Sequence, residues 1–152
     1  METVLAPFTV RDIMTRPVAV SPDTTLEEVA RTMLLRCVSA VGVVNSQGEL
    51  CGIVTASDFL PKDCGLPFSI QRRPQLFGQW PAKKGVRELY RSARTTAVQE
   101  IMSTEVITLT EDDSLEHLLE LMRRHHLHHL PVIRNRIPVG MVARRDVLLL
   151  MA

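Results

Sequence analysis

Gly52-Ile53-Val54-Thr55-Ala56-Ser57-Asp58 and Gly140-Met141-Val142-Ala143-Arg144-Arg145-Asp146 decide the fold, because they are one pattern written twice. Each is a glycine, an apolar strand-like run and an aspartate at the start of a short helix, and each follows an Ile-Met pair, Ile13-Met14 or Ile101-Met102, by about 40 residues. An internal repeat of this kind implies two copies of one unit packed about a pseudo-twofold axis, with clefts between them where ligands tend to sit.

Upstream of the first pattern, Pro17-Val18-Ala19-Val20 reads as extended, and Ser21-Pro22-Asp23-Thr24-Thr25 as a turn with hydroxyls suited to capping a helix. Leu26, Val29, Ala30, Met33 and Leu34 then recur at spacings of three and four, which predicts an amphipathic helix. Val38 to Val44 is a β-branched run, Asn45-Ser46-Gln47-Gly48 a turn, and Leu50 to Thr55 a second strand, so a hairpin is expected. Ser57-Asp58-Phe59-Leu60 opens the closing helix, with Thr55 or Ser57 near its N-terminus. The second copy keeps the order: Val106 to Leu109 extended, a turn at 110–114, a helix carrying Leu115, Leu118, Leu119 and Met122, a hairpin of Leu130 to Ile133 and Val139 to Ala143, and a helix from Arg145 to Leu150. The copies differ by one residue in the first turn and one in the hairpin loop, where length changes are easily absorbed.

At 152 residues with 45% hydrophobic side chains, the chain suits one ordinary domain or two small ones sharing a core. No apolar run approaches the roughly 18 to 20 residues that cross a bilayer, and acidic Glu2 with no basic start does not read as a secretory signal. A soluble, cytoplasmic protein is expected, with no membrane partner. Cys37, Cys51 and Cys64 are odd in number and form no Cys-x-x-Cys pair, so they read as reduced thiols, two in the core and one in the connector.

The net charge of +1 hides an uneven distribution. Residues 61–97 hold eight basic side chains (Lys62, Arg72, Arg73, Lys83, Lys84, Arg87, Arg91, Arg94) against Asp63 and Glu88, six net positive charges that leave the rest of the chain acidic. The same connector carries Phe68, Phe77, Trp80 and Tyr90, four of the six aromatic residues, more than a disordered tether usually holds. Val86, Leu89, Tyr90 and Ala93 have helical spacing. A structural strap is the plain reading of this segment, and a basic surface for nucleic acid or a protein partner the sharper one, on weak evidence.

The order strand, helix, strand, strand, helix, twice over and each time closed by Gly-h-h-x-x-x-Asp, resembles the cystathionine-β-synthase (CBS) domain family. The resemblance covers about residues 10 to 60 and 98 to 150 and implies an α/β (α+β) fold of tandem CBS repeats, with repeat 1 at 8–60, a connector at 61–97 and repeat 2 at 98–152. It further implies a non-enzymatic regulatory module that binds an adenosyl compound (AMP, ADP, ATP, NAD or S-adenosylmethionine) and associates as a homodimer. No cofactor is required for that role. By the same resemblance Asp58 would hold a ribose diol and Thr55 reach phosphate in one site, with Pro17, Val18, Val38, Ser39 and Ala40 lining the adenine slot. In the other, Asp146 takes the ribose role, with Val106, Ile107, Leu127, His128 and His129 around it. Ala143 stands there in place of the phosphate-reaching hydroxyl, and Arg144 and Arg145 can compensate by charge. His129 occupies the position of a phosphate-contacting arginine and would carry charge only below about pH 6.5.

Other chemistry finds little support. His125, His126, His128 and His129 span a helix end and the beginning of a strand, so neighbours point apart and no metal site is expected. The chain has no Gly-x-Ser-x-Gly elbow, no phosphate-binding Gly-rich loop of the Walker type and no His-Glu-x-x-His helix, so no catalytic residues are assigned. The alternative to a ligand-binding module is a scaffold that contacts nucleic acid or a protein through its basic connector.

Overall fold

A computed structural model describes residues 8–59, 91 and 93–152. These divide into two compact units, one made of residues 18–47, 51–59 and 91–106, the other of residues 8–17, 48–50 and 107–152. Most of the predicted connector, including its aromatic residues and Cys64, lies outside the described residues.

In the first unit, β1 (Ala19–Val20) runs parallel to β2 (Ala40–Val44), with Ala19 opposite Gly42 and Val20 opposite Val43. β3 (Leu50–Thr55) flanks β2 on its other side. The intervening helix, α2 (Leu26–Arg36), begins on a reciprocal cap: the Glu28 N–H donates to the Thr25 hydroxyl at 3.3 Å and the Thr25 N–H to the Glu28 carboxylate at 3.2 Å. It ends at Cys37, whose φ of 54° breaks the helix in the left-handed region. Leu26, Val29 and Met33 pack on Val41, Val43 and Val54. Leu34, expected on that face, is 80% exposed. Half-buried Cys51 packs against this core as expected, whereas Cys37 is exposed, which corrects its expected place in the core.

The second unit repeats the plan with α3 (Leu115–His125), β4 (His129–Arg134), β5 (Ile137–Ala143) and α4 (Arg144–Met151). β4 and β5 are antiparallel, with His129 opposite Ala143. The extended run expected over Val106 to Leu109 shrinks to a single parallel bridge between Leu109 and Val132, held by Leu109 N–H to the Pro131 carbonyl at 2.9 Å. Leu119 proves 36% exposed, whereas Leu115, Leu118 and Met122 face the core.

The leading segments of the two copies are exchanged. α1 (Val10–Ile13) opens the first copy in sequence but lies in the second unit, where Val10 and Ile13 pack with Leu109, Leu118, Leu130, Val132 and Val142. The Val10 N–H donates to the Asp113 carbonyl at 2.9 Å, and Thr15 bridges Met141. Reciprocally, the 3₁₀ turn Val98–Glu100 opens the second copy but lies in the first unit, where Val98 and Ile101 join the core of Leu26, Val29 and Val54 and Ser103 bridges Ile53. Burying each such valine or isoleucine stabilises by about 1.5–3 kcal/mol.

This exchange explains the repeated Ile-Met and Gly. A Cβ on Gly140 would meet the Sδ of Met14 at 2.6 Å and its Cβ at 3.0 Å, and one on Gly52 would meet the Cγ of Met102 at 2.9 Å and the Ser103 carbonyl at 3.1 Å. Each glycine therefore makes room for the methionine of the other copy. Gly52→Ala and Gly140→Ala should each cost about 1–3 kcal/mol by overpacking, lowering Tm by about 2–4 °C per kcal/mol in a chain of this length. Thermal denaturation of the Gly140→Ala/Met14→Ala pair should recover part of the loss, and an additive double mutant would show that the contact does not set the cost.

Candidate functional site

Both units place a carboxylate at the same point of the same frame. In the first, β3 ends at Thr55 and a 3₁₀ turn, Ala56–Phe59, follows. Asp58 Oδ2 accepts from the Thr55 N–H at 2.8 Å and from the Thr55 hydroxyl at 3.2 Å, and Thr55 Oγ1 and Ser57 Oγ lie 2.8 Å apart. The Ala56 N–H donates to the Ser39 carbonyl at 2.8 Å, which fixes Val38 and Ser39 beside this turn. The Gly42 N–H donates to the Val18 carbonyl at 2.9 Å, which adds Val18 to the same sheet. Ala40 is only 4% exposed and belongs to the core, so its side chain does not offer the open lining expected of it.

In the second unit, Asp146 Oδ2 accepts from the Ala143 N–H at 2.7 Å. The Arg144 N–H donates to the His128 carbonyl at 3.0 Å, the counterpart of the bond from Ala56 to Ser39. The Arg144 guanidinium also reaches the His128 ring, Nη1 to Nε2 at 3.0 Å. Because a guanidinium only donates, Nε2 accepts, and His128 is a neutral ring with its proton on Nδ1. His129 follows as the first residue of β4, directly opposite Ala143. Ile107 and Leu127 are half-buried and pack against the core, and Arg145 is exposed. The structure thus gathers Val18, Val38, Ser39, Thr55 and Asp58 in one unit, and Ile107, Leu127, His128, His129, Arg144, Arg145 and Asp146 in the other. Pro17 and Val106 are not grouped as expected: Pro17 falls in the second unit and Val106 in the first.

Burial, and then the Arg144 charge, lower the pKa of His128. His129 is lowered chiefly by burial and also by His128, against an opposing pull from Asp146. Both rings are therefore neutral at pH 7, and the charge expected on His129 near pH 6.5 moves to more acidic conditions. Among the described residues no group of three or more His, Cys, Asp and Glu side chains is arranged to hold a metal ion. An open depression of about 570 Å³, lined by Arg11, Glu111, Arg134 and their neighbours, contains none of these site residues. Its charges satisfy one another: Arg11 pairs with Asp112 at 3.2 Å, and Arg134 Nε donates to Glu111 at 2.9 Å. Sequence reasoning missed two contacts, the engagement of Ser57 with Thr55 and the link between His128 and Arg144. The matching positions of the two copies, Ala56 with Arg144 and Ser39 with His128, were the available signal for the second.

A carboxylate held in place by a backbone N–H is a fixed acceptor suited to a vicinal diol, and it recurs here in two compact α/β units. This construction defines a class of tandem α/β repeats, each closed by an aspartate at a strand-to-helix junction. The profile of the CBS domain matches residues 10–62 and 98–152, and the chain belongs to the CBS domain family. It is 35% identical over 138 residues to the CBS domain-containing protein YhcV of Bacillus subtilis, covering 90% of this chain and 81% of that one. It is also similar to the CBS domain of a CBS domain-containing membrane protein from Sphaerobacter thermophilus, with a TM-score of 0.71 and 36% identity over 95% of this chain and 88% of that one. The CBS domain pair of protein MJ0100, solved in complex with 5′-methylthioadenosine and S-adenosyl-L-methionine, shares the fold at a TM-score of 0.69 and 21% identity, covering 95% of each chain.

The histidines give the chain a pH signature. In the unfolded chain both rings protonate near pH 6.5, whereas in the folded protein both resist protonation, so the unfolded state binds more protons below that pH and stability falls as pH falls. The contribution is complete above pH 6.5 and is lost progressively toward the lowered folded values. Urea denaturation at pH 7.5, 6.5 and 5.5 should show a smaller loss in His128→Asn/His129→Asn than in the wild type. Parallel losses in the two proteins would mean that these rings do not set the acid limb.

Proposed function

We propose that this chain is a non-enzymatic regulatory module that binds an adenine nucleotide or another adenosyl compound and changes shape or partner affinity in response. The observation that carries the reading is the duplicated carboxylate, Asp58 and Asp146, each held through Oδ2 by a backbone N–H at a strand-to-helix junction. Such an oxygen is a preset acceptor for ribose hydroxyls. The other half of the recognition would come from the apolar residues beside each junction, Val18 and Val38 in one unit and Ile107 and Leu127 in the other. The ligands described for the MJ0100 pair support the adenosyl class, and AMP, ADP, ATP, NAD and S-adenosylmethionine all carry the moiety these groups would read.

The exposed apolar side chains Leu34 and Leu35 on α2 and Leu148, Leu149 and Met151 on α4 support the homodimer expected of the family. Cys37 and Cys51 are free thiols, which suits a reducing, cytoplasmic compartment, and no described helix is long and apolar enough to cross a membrane.

A ligand that binds only the folded state at one hundred times its Kd adds about 2.7 kcal/mol, a rise of about 5–10 °C in Tm at the scaling above. Differential scanning fluorimetry with the five compounds should show such a rise for at least one. Asp58→Asn and Asp146→Asn keep an oxygen that can cap the junction, yet should remove most of the ligand-induced rise at their own site. A full rise in the double variant would overturn the site assignment.

A further inference from the structure

All five histidines of the chain fall between residues 117 and 129, in the second unit, and the sequence of the first unit holds none. Two of them border the carboxylate of the second site. His129 opens β4 directly opposite Ala143, whose N–H holds Asp146 Oδ2 at 2.7 Å. His128 gives its carbonyl to the Arg144 N–H and its ring to the Arg144 guanidinium, Nη1 to Nε2 at 3.0 Å. Two titratable rings therefore meet residues 143–146, the junction that presents the acceptor.

We infer that protonation of the His128–His129 pair switches the second site off: a proton on His129 draws Asp146 away from the ribose, a proton on His128 expels Arg144, and affinity for an adenosyl ligand falls as the solution is acidified. The inference rests on the adenosyl reading above and adds regulation to one of its two sites. The neutral His128 ring accepts from the guanidinium through the lone pair on Nε2. A proton there removes the acceptor and leaves two cations facing each other. His129 acts through the carboxylate. Asp146 already favours a proton on this ring, and the attraction between two full charges competes with the hydrogen bonds of uncharged ribose hydroxyls.

The charged groups that act on the pair come from α4. Burial and then Arg144 resist a proton on His128, whereas burial and then His128 resist one on His129, with Asp146 pulling the other way. At the end of α3, Arg123 and Arg124 are taken up by Glu120 at 2.9 Å and 3.0 Å, and His125, His126 and, on α4, Arg145 are exposed. Both rings are neutral at pH 7, so the site is open there. Because the ligand binds the neutral form, affinity is constant above about pH 6.5 and declines as pH falls through the lowered ring midpoints. His128 acts on His129, so the two titrate as a coupled pair.

Isothermal titration with adenosine, which has no phosphate, tests this on two variants of the full chain: Asp58→Asn, which keeps the second site, and Asp146→Asn, which keeps the first. Between pH 7.5 and 5.0 the affinity of Asp58→Asn should fall at least about threefold, as one linked proton with a midpoint just above pH 5 requires, while that of Asp146→Asn stays within about twofold for want of a histidine. Proton NMR of the ligand-free chain supplies a second readout: His129 should titrate at lower pH in Asp146→Asn, and His128 at higher pH in Arg144→Gln, than in the wild type. Affinity in Asp58→Asn that is flat with pH, an equal fall in Asp146→Asn, or histidine midpoints that neither substitution moves would overturn the inference and leave the adenosyl reading intact. If adenosine fails to bind the wild type at pH 7.5 while one of the five compounds above binds, the ribose contact does not carry affinity and the inference fails alone. If none of them binds, both fail.

Discussion

A methionine seated on a glycine, twice, is the contact on which the rest of this structure depends. Met14 occupies the space a side chain on Gly140 would take, and Met102 does the same over Gly52. Protein interiors are packed to near-crystalline density, so a backbone position left bare is specified by what fills it. Because each methionine comes from the opposite copy, the sequence repeats and the compact units cannot coincide. Val10 and Ile13 complete one core and Val98 and Ile101 the other. A repeat stripped of its partner's leading segment would keep its strands and lose two buried apolar residues and a pair of backbone bridges.

That packing also sets the register of the sites. Gly52 and Gly140 lie on β3 and β5, and three and six residues further along come the strand end and the capping aspartate. Once the glycine is pinned under its methionine, Thr55 and Asp58, or Ala143 and Asp146, arrive at the sheet edge in one arrangement. The carboxylates therefore serve two purposes at once, satisfying a backbone N–H and offering an oriented acceptor. Duplication supplies the same frame twice, and divergence of its neighbours, serine and alanine in one copy against histidine and arginine in the other, makes the frames chemically unlike. In the second copy the Arg144 guanidinium rests on the His128 ring at 3.0 Å, and no ion pair ties it to a carboxylate among the described residues.

Much of this was readable in the residues. The doubled Gly-h-h-x-x-x-Asp, the caps at Thr25 and Ser114 and the β-branched runs located the elements, because each reflects local backbone chemistry. The exchange of α1 was not readable, since Ile13-Met14 and Ile101-Met102 are equivalent dipeptides and nothing local says which copy each will cover. Leu34 has the spacing of a core residue but sits 80% exposed, because periodicity defines a stripe and the neighbouring elements decide how much of it is covered. Val106 to Leu109 has strand composition, but only Leu109 meets β4. The repeated motif located Asp58 and Asp146 just past the ends of β3 and β5, whereas the bond between Arg144 and His128 depends on the turn that brings residues sixteen apart together.

The most direct test of the account is a crystal structure of the full chain grown with saturating ATP and 5′-methylthioadenosine. The account predicts adenosine density with its ribose hydroxyls on Asp58 in one unit and on Asp146 in the other. Adenosine density with its ribose on neither carboxylate would contradict it.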